Sequence, residues 1–251
     1  MRVLAALATV LAMAALAQPL RRSGFDDMAP PLQAMQRDDG ANPAMLWVAE
    51  GEALWGTQAG TAGKACADCH GDARVSMRGV AARYPAFDAS SAAPIDLAGR
   101  IQRCRTDRQG ASPWPRESEA LLAIAAYVGL RSRGMPIAPP DDPHLAPFVA
   151  AGQALYRERR GQLDLACGQC HDDQAGRRLA GSVIPEGHPT GYPIYRLEWQ
   201  GMGSLQRRLR NCMVGVRSEP FAYGAPEYVA LELYLMRRVA GMPMETPAVR
   251  P

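Results

Sequence analysis

A single cysteine stands among four arginines in the run Arg207-Arg208-Leu209-Arg210-Asn211-Cys212-Met213-Val214-Gly215-Val216-Arg217. The thiolate is the reactive form of cysteine, and neighbouring guanidinium charge favours it. On a helix, Arg208 shares a face with Cys212, because residues four apart are neighbours there. Arginine keeps its charge and offers an oxyanion a planar fork of donors. The run therefore reads as a sulfur atom beside an anion site. It also fits a structural cysteine on an amphipathic helix with solvated arginines, since a free cysteine commonly packs as a small apolar residue.

Four of the other five cysteines fall into two C-x-x-C-H motifs, Cys66-Ala67-Asp68-Cys69-His70 and Cys167-Gly168-Gln169-Cys170-His171. This is the attachment signature of c-type haem: two thiols add to the porphyrin vinyl groups and the adjacent histidine ligates the iron. Two covalent haems are expected, held by Cys66, Cys69, Cys167 and Cys170, with His70 and His171 as axial ligands. Zinc is the alternative for a lone motif; two motifs in a chain with only two further histidines, His144 and His188, argue against it. The sixth position on each iron is open at this level. Met77, Met135, Met202, Met242 and Met244 are methionine candidates, while Cys104 and Cys212 are matched cysteines not consumed by haem attachment. Thiolate would lower the iron potential and methionine would raise it. A Cys104–Cys212 disulfide is the remaining structural alternative.

The elements that position these residues repeat. Gly51-Glu52-Ala53-Leu54-Trp55 precedes the first motif by the interval at which Gly152-Gln153-Ala154-Leu155-Tyr156 precedes the second. Tyr84-Pro85 matches Tyr192-Pro193, residues 97–104 match 205–212, and Gly134-Met135-Pro136 matches Gly241-Met242-Pro243. Such self-similarity marks a duplicated structural unit. Helical periodicity and alanine content predict helices over 44–58, 117–132, 147–160 and 226–240, with Gly134 and Gly241 as stops. The loops 71–96 and 172–200 lack strong periodicity and leave room for short hairpins. The expected fold is mainly α, with two tandem cytochrome c-type domains. The first spans 44–138 and carries the first haem; a proline-rich linker follows at 139–146; the second spans 147–251 and carries the second haem. Residues 18–43, polar and proline-spaced, are expected to form an extended arm.

Composition sets the address. Residues 1–17 carry Arg2, an apolar run and Ala15-Leu16-Ala17, the pattern of a cleaved secretory signal. The run is too short for a convincing membrane span, and no later segment matches it without charge. A soluble periplasmic protein is expected. A net charge of +3 argues against nucleic acid as a partner.

Taken with their surroundings, these motifs resemble those of the SoxA family, the dihaem subunits of SoxAX cytochromes that act on thiosulfate. The resemblance covers nearly the whole mature chain. It is carried by Arg22-Ser23-Gly24-Phe25, Met35-Gln36-Arg37-Asp38-Asp39 and Asn42-Pro43-Ala44-Met45-Leu46-Trp47 near the start. Pro226-Glu227-Tyr228, residues 230–235 and residues 241–250 carry it near the end. It implies that Cys104 is the distal ligand of the first haem. It implies that Cys212 is both distal ligand of the second and the working cysteine, found in the family as a persulfide. Arg208 matches the family's substrate-binding arginine, and Arg217 is a further candidate for holding the anion. Arg100 also stands four residues before Cys104, so spacing alone does not say which half is catalytic.

The implied activity is that of an L-cysteine S-thiosulfotransferase. Thiosulfate is joined oxidatively to a cysteine of a SoxYZ-like carrier, and electrons pass to a SoxX-like small cytochrome c in a heterodimer. The rival readings are a plain dihaem electron carrier, in which Cys104 and Cys212 would be idle, and a dihaem peroxidase, which would need an open iron and has only His144 and His188 to spare.

Overall fold

Alanine-rich stretches with an apolar stripe become helices here wherever a side chain or a proline starts them. The computed structural model describes residues 21–251; the signal segment read over 1–17 lies outside them. After a helix α1 (Pro30–Arg37), the first half runs through α2 (Ala44–Gly56), α3 (Cys66–His70) and α4 (Ala73–Ser76). It continues through the hairpin β1 (Ala86–Asp88) and β2 (Ala93–Ile95) to α5 (Leu97–Gln109) and α6 (Glu119–Leu130). The second half repeats the order as α7 (Ala146–Arg157), α8 (Cys167–His171), a small hairpin β3 (Arg178–Leu179) and β4 (Ser182–Val183), the hairpin β5 (Ile194–Arg196) and β6 (Gly201–Gly203), α9 (Leu205–Gly215) and α10 (Pro226–Arg238). A last strand β7 (Ala248–Arg250) lies parallel to β5, giving the sheet order β6-β5-β7. The fold is mainly α, as expected, and hairpins occupy the two aperiodic loops.

The cysteine-bearing helices are capped alike. The Asp96 carboxylate accepts the Gly99 N–H at 2.7 Å at the start of α5, and the Ser204 hydroxyl accepts the Arg207 N–H at 3.1 Å at the start of α9. α5 ends at Gly110 in the left-handed conformation. The helix before each haem motif crosses the last helix of its half at a glycine. A Cβ on Gly51 would lie 2.2 Å from the Ala123 carbonyl oxygen, and one on Gly152 would lie 2.1 Å from that of Ala230. Only glycine allows that approach, so the repeated Gly of the sequence sets the repeated crossing of α2 with α6 and of α7 with α10.

The larger of two apolar clusters runs through both halves, and a smaller one around Tyr156, Leu231 and Leu235 lies within the second. Val48, Trp55, Ile124 and Tyr127 from the first half are continuous with Tyr195, Met236, Met242, Met244 and Val249 from the second. The matched Gly-Met-Pro segments pair with each other across the molecule: Met244 N–H donates to Met135 O at 2.9 Å and Ile137 N–H to Met242 O at 2.9 Å. Met242 and Met244 are thereby buried. The arm expected to be extended over 18–43 is helical over Pro30–Arg37, because Pro30 and Pro31 sit at the helix start where no N–H is needed. The arm also clamps the carboxy-terminal strand: Gln36 Oε1 accepts Val249 N–H at 3.0 Å, and Asn42 Nδ2 donates to Pro247 O at 3.1 Å. Among the described residues no helix is long and apolar enough to cross a membrane.

Candidate functional site

In each haem motif the second variable residue closes its own turn. Asp68 Oδ2 accepts Ala65 N–H at 2.7 Å, and Gln169 Oε1 accepts Ala166 N–H at 2.8 Å. The short helices α3 and α8 so present two cysteines and a histidine from one turn.

In the second half His171 is firmly oriented. Its Nδ1–H donates to the Pro185 carbonyl at 2.7 Å, which leaves the Nε2 lone pair free to act as a ligand. Gly187, at φ 69°, packs so closely that a Cβ there would lie 3.1 Å from the imidazole ring. Cys212, from α9, meets this histidine. Burial alone would push its thiol up; the contact with His171 and the charges of Arg208 and Arg196 outweigh burial and hold it below the ordinary value. Conversely, burial disfavours the His171 imidazolium, and the Cys212 sulfur with the Pro185 carbonyl raises it. Beside His171, the Asp172 carboxylate accepts from Tyr156 Oη at 2.9 Å and from Arg238 at 2.7 Å.

A histidine nitrogen and a thiolate that face each other, next to two further cysteines in one helical turn, are the donor set of a haem c with histidine–thiolate ligation. Among the described residues no three His, Cys, Asp or Glu side chains cluster to hold a bare metal ion. The residues of the second half fit the haem group.

The first half has the same parts in a different electrostatic setting. Trp55 lies 5.7 Å from the His70 ring between centroids, and its indole N–H donates to Gly71 O at 2.9 Å, fixing the backbone beside His70. Cys104, on α5, lies near the motif cysteines, close enough for its ionisation to oppose that of Cys66. Burial pushes the Cys104 thiol up, and Arg100 and Arg108 only partly oppose it. No disulfide joins Cys104, on α5, to Cys212, on α9.

The structure brings Arg208 to Cys212 as the i, i+4 spacing required. Arg217 stands exposed just beyond the end of α9 in the left-handed conformation (φ 57°), where its carbonyl accepts the Gln162 N–H at 3.3 Å. The second arginine acting on Cys212 is Arg196, at the end of β5, which sequence reading missed. A position-by-position comparison of the repeats beyond Tyr84-Pro85 and Tyr192-Pro193 would have reached it.

A family model described as SoxA/TsdA, cytochrome c domain, matches residues 50–137 and 151–244. The L-cysteine S-thiosulfotransferase subunit SoxA of Pseudaminobacter salicylatoxidans is 39% identical over 216 residues, covering 86% of this chain and 76% of that protein. The subunit of the same description from Rhodovulum sulfidophilum is 37% identical over 229 residues, covering 91% and 80%. The crystal structure of SoxXA from P. pantotrophus contains a chain that matches with a TM-score of 0.88 at 32% identity, over 92% of this chain and 87% of that one.

Proposed function

The chain belongs to the SoxA/TsdA cytochrome c family, and from that premise we propose that Cys212 is the sulfur at which its reaction takes place, with Arg208 holding the substrate. The activity is that of an L-cysteine S-thiosulfotransferase: thiosulfate is conjugated to a cysteine thiol. In balance, thiosulfate and a thiol give a cysteine S-thiosulfonate, one proton and two electrons, which pass to a partner cytochrome. The partner is a SoxX-type cytochrome in a heterodimer. The finer assignment of the thiol to a SoxYZ-like carrier is part of the proposal.

The observation that carries this reading is the setting of Cys212, a thiol held below its ordinary value despite burial, facing His171 with Arg208 one turn away. Arg208 would take the sulfonate oxygens of thiosulfate through its fork of donors. That leaves the outer sulfur turned toward Cys212, where a sulfur–sulfur bond forms as one proton is released and two electrons leave for the partner cytochrome; further transfer of that sulfur to a thiol is thiol–disulfide chemistry. A persulfide on Cys212, as the family resemblance implies, would be a reversible modification of a reactive thiol.

The chain binds haem c; two covalent groups are proposed, one through Cys66 and Cys69 with His70 and Cys104, the other through Cys167 and Cys170 with His171 and Cys212. When bound, the second group supplies a one-electron exit at a potential lowered by thiolate. The Pro185 carbonyl keeps His171 in the tautomer needed for ligation. Export to the periplasm by a signal over residues 1–17 completes the proposal.

The test is the mass of the Cys212 peptide from protein purified without reductant, compared with the same peptide after reduction. One extra sulfur that reduction removes, together with loss of conjugation in Cys212→Ala, is expected. A Cys212→Ala protein that conjugates thiosulfate at the wild-type rate would sink the reading.

A further inference from the structure

Both halves place an arginine four residues before the distal cysteine, yet only one half is expected to take an anion. The difference lies in the hairpin that precedes each cysteine helix. The hairpins match residue for residue. Each begins after a cis Tyr–Pro bond, at Tyr84-Pro85 and Tyr192-Pro193. Each first strand has three residues, Ala86–Asp88 and Ile194–Arg196. Asp88 pairs across the strands with Ala93, and Arg196 pairs with Gly201 at the same place in the register. Both hairpins lead into the capped helices that carry Arg100 with Cys104 and Arg208 with Cys212. Asp88 and Arg196 are therefore the same structural position carrying opposite charges.

Asp88 consumes the arginine of its half. Its Oδ1 accepts from Arg100 at 2.9 Å and its Oδ2 from Arg103 at 2.5 Å. Ser90 and Ser91 hydroxyls add bonds at 2.7 Å each, so the side chain is ionised, nearly fully buried and fixed. Arg100 is neutralised from within the protein.

Arg196 does the reverse. Its Nε donates to the main-chain oxygen of Pro251 at 2.9 Å, Glu198 lies 2.9 Å from one terminal nitrogen, and the guanidinium lies 5.2 Å from the Trp199 ring centroid. The side chain is only 15% exposed while Glu198 is 62% exposed, so the counter-charge is on the solvent side and the cation is set into the protein. Among the described residues Arg208 has no carboxylate partner within salt-bridge distance. The positive charges of Arg208, on α9, and Arg196, at the end of β5, both favour the Cys212 thiolate, and each guanidinium feels the other.

We propose that this one position decides which half binds thiosulfate: Arg196 joins Arg208 to form a two-arginine site for the sulfonate end of the dianion beside Cys212, and Asp88 closes the first half to anions by neutralising Arg100. A dianion is matched by two fixed cations, and charge-assisted bonds from planar forks hold its oxygens in one orientation. This rests on the assignment of thiosulfate chemistry to Cys212.

The experiment uses the haem-loaded heterodimer. Thiosulfate binding is measured by isothermal titration without carrier or acceptor, and steady-state conjugation is measured at saturating carrier. Arg196→Gln should weaken thiosulfate binding and raise its KM by about tenfold or more, with kcat changed far less. Arg196→Lys, which keeps charge and loses the fork, should fall between. Asp88→Asn should leave the KM at the second half unchanged and add a second, weaker thiosulfate site to the titration. An unchanged KM in Arg196→Gln, or a single site in Asp88→Asn, overturns the proposal. Cys212→Ala run in parallel separates the two questions. An active Cys212→Ala would remove the functional assignment itself. An inactive one beside an unaffected Arg196→Gln would leave that assignment standing and remove only the role given to Arg196.

Discussion

Cys104 and Cys212 occupy matched positions one turn after an arginine, yet their thiols are driven in opposite directions. Burial raises both. At Cys104 it wins over Arg100 and Arg108, whereas at Cys212 it loses to His171, Arg208 and Arg196. Asp88 accounts for part of the difference, since the Arg100 charge is spent on it. Cys212→Ala should therefore abolish conjugation while the second haem stays covalently attached through Cys167 and Cys170. Cys104→Ala should change the spectrum of the first haem and spare most of the activity. Arg208→Lys should lose about tenfold in kcat/KM, the worth of one charge-assisted bond. These orders are read from conjugation rates with carrier and acceptor supplied; an inactive Cys104→Ala would place the chemistry in the first half. The two C-x-x-C-H turns, and the place of Arg208 one turn before Cys212, were legible in the sequence because a helical turn fixes their spacing. Arg196 was not, because a strand residue reaches Cys212 through the hairpin's fold rather than through any short spacing.

Among the elements, the long helices were legible from periodicity and stop signals, and their ends fall within a few residues of expectation. The strands were not. At two or three residues they are too short to show a two-residue period, and β7 joins β5 from the far end of the chain. The helical part of the arm was hidden by its prolines, which serve as a helix start. What the repeat did encode is the helix crossing. Gly152→Ala should force α7 from α10, because the added carbon meets the Ala230 backbone rather than a flexible side chain. Overpacking of this kind costs about 1–3 kcal/mol, a fall of about 2–4 °C in Tm per kcal/mol for a chain of this size. Gly51→Ala should behave alike at α2 and α6. Gly215→Ala, at the exposed end of α9 with open space around it, should leave Tm unchanged or raise it slightly. Equal Tm values for Gly152→Ala and Gly215→Ala would show that the crossing is not set by the glycine.

At the scale of the whole molecule, the starts of the two cysteine helices meet across a polar seam between the halves. Asp96, which caps α5, accepts Gln206 Nε2 from the first turn of α9 at 3.0 Å and is ion-paired with Arg116. Glu232, from α10, lines the same cavity of about 80 Å³. Burial, and then the Asp96 charge, push its carboxyl up to about 8, while Gln206 and Arg116 pull it the other way. Glu117, also in the seam, is raised by burial against the Ser204 and arginine contacts. In the unfolded chain such a glutamate titrates near 4.5. Between that value and about 8 the folded protein keeps a proton that the unfolded chain has released, so stability falls as pH rises. The contribution is complete below about 4.5 and is lost as pH passes through about 8. Glu232→Gln keeps the neutral shape at every pH. Its Tm should decline less steeply than that of wild type between about pH 5 and 9, and should exceed it at the alkaline end by about 2–4 °C per kcal/mol of relieved charge burial. Glu117→Gln should show the same sign with a smaller effect. The measurement is thermal unfolding of the haem-loaded protein followed by far-ultraviolet circular dichroism. A Glu232→Gln curve parallel to wild type across the whole range would mean that Glu232 holds no proton in that window.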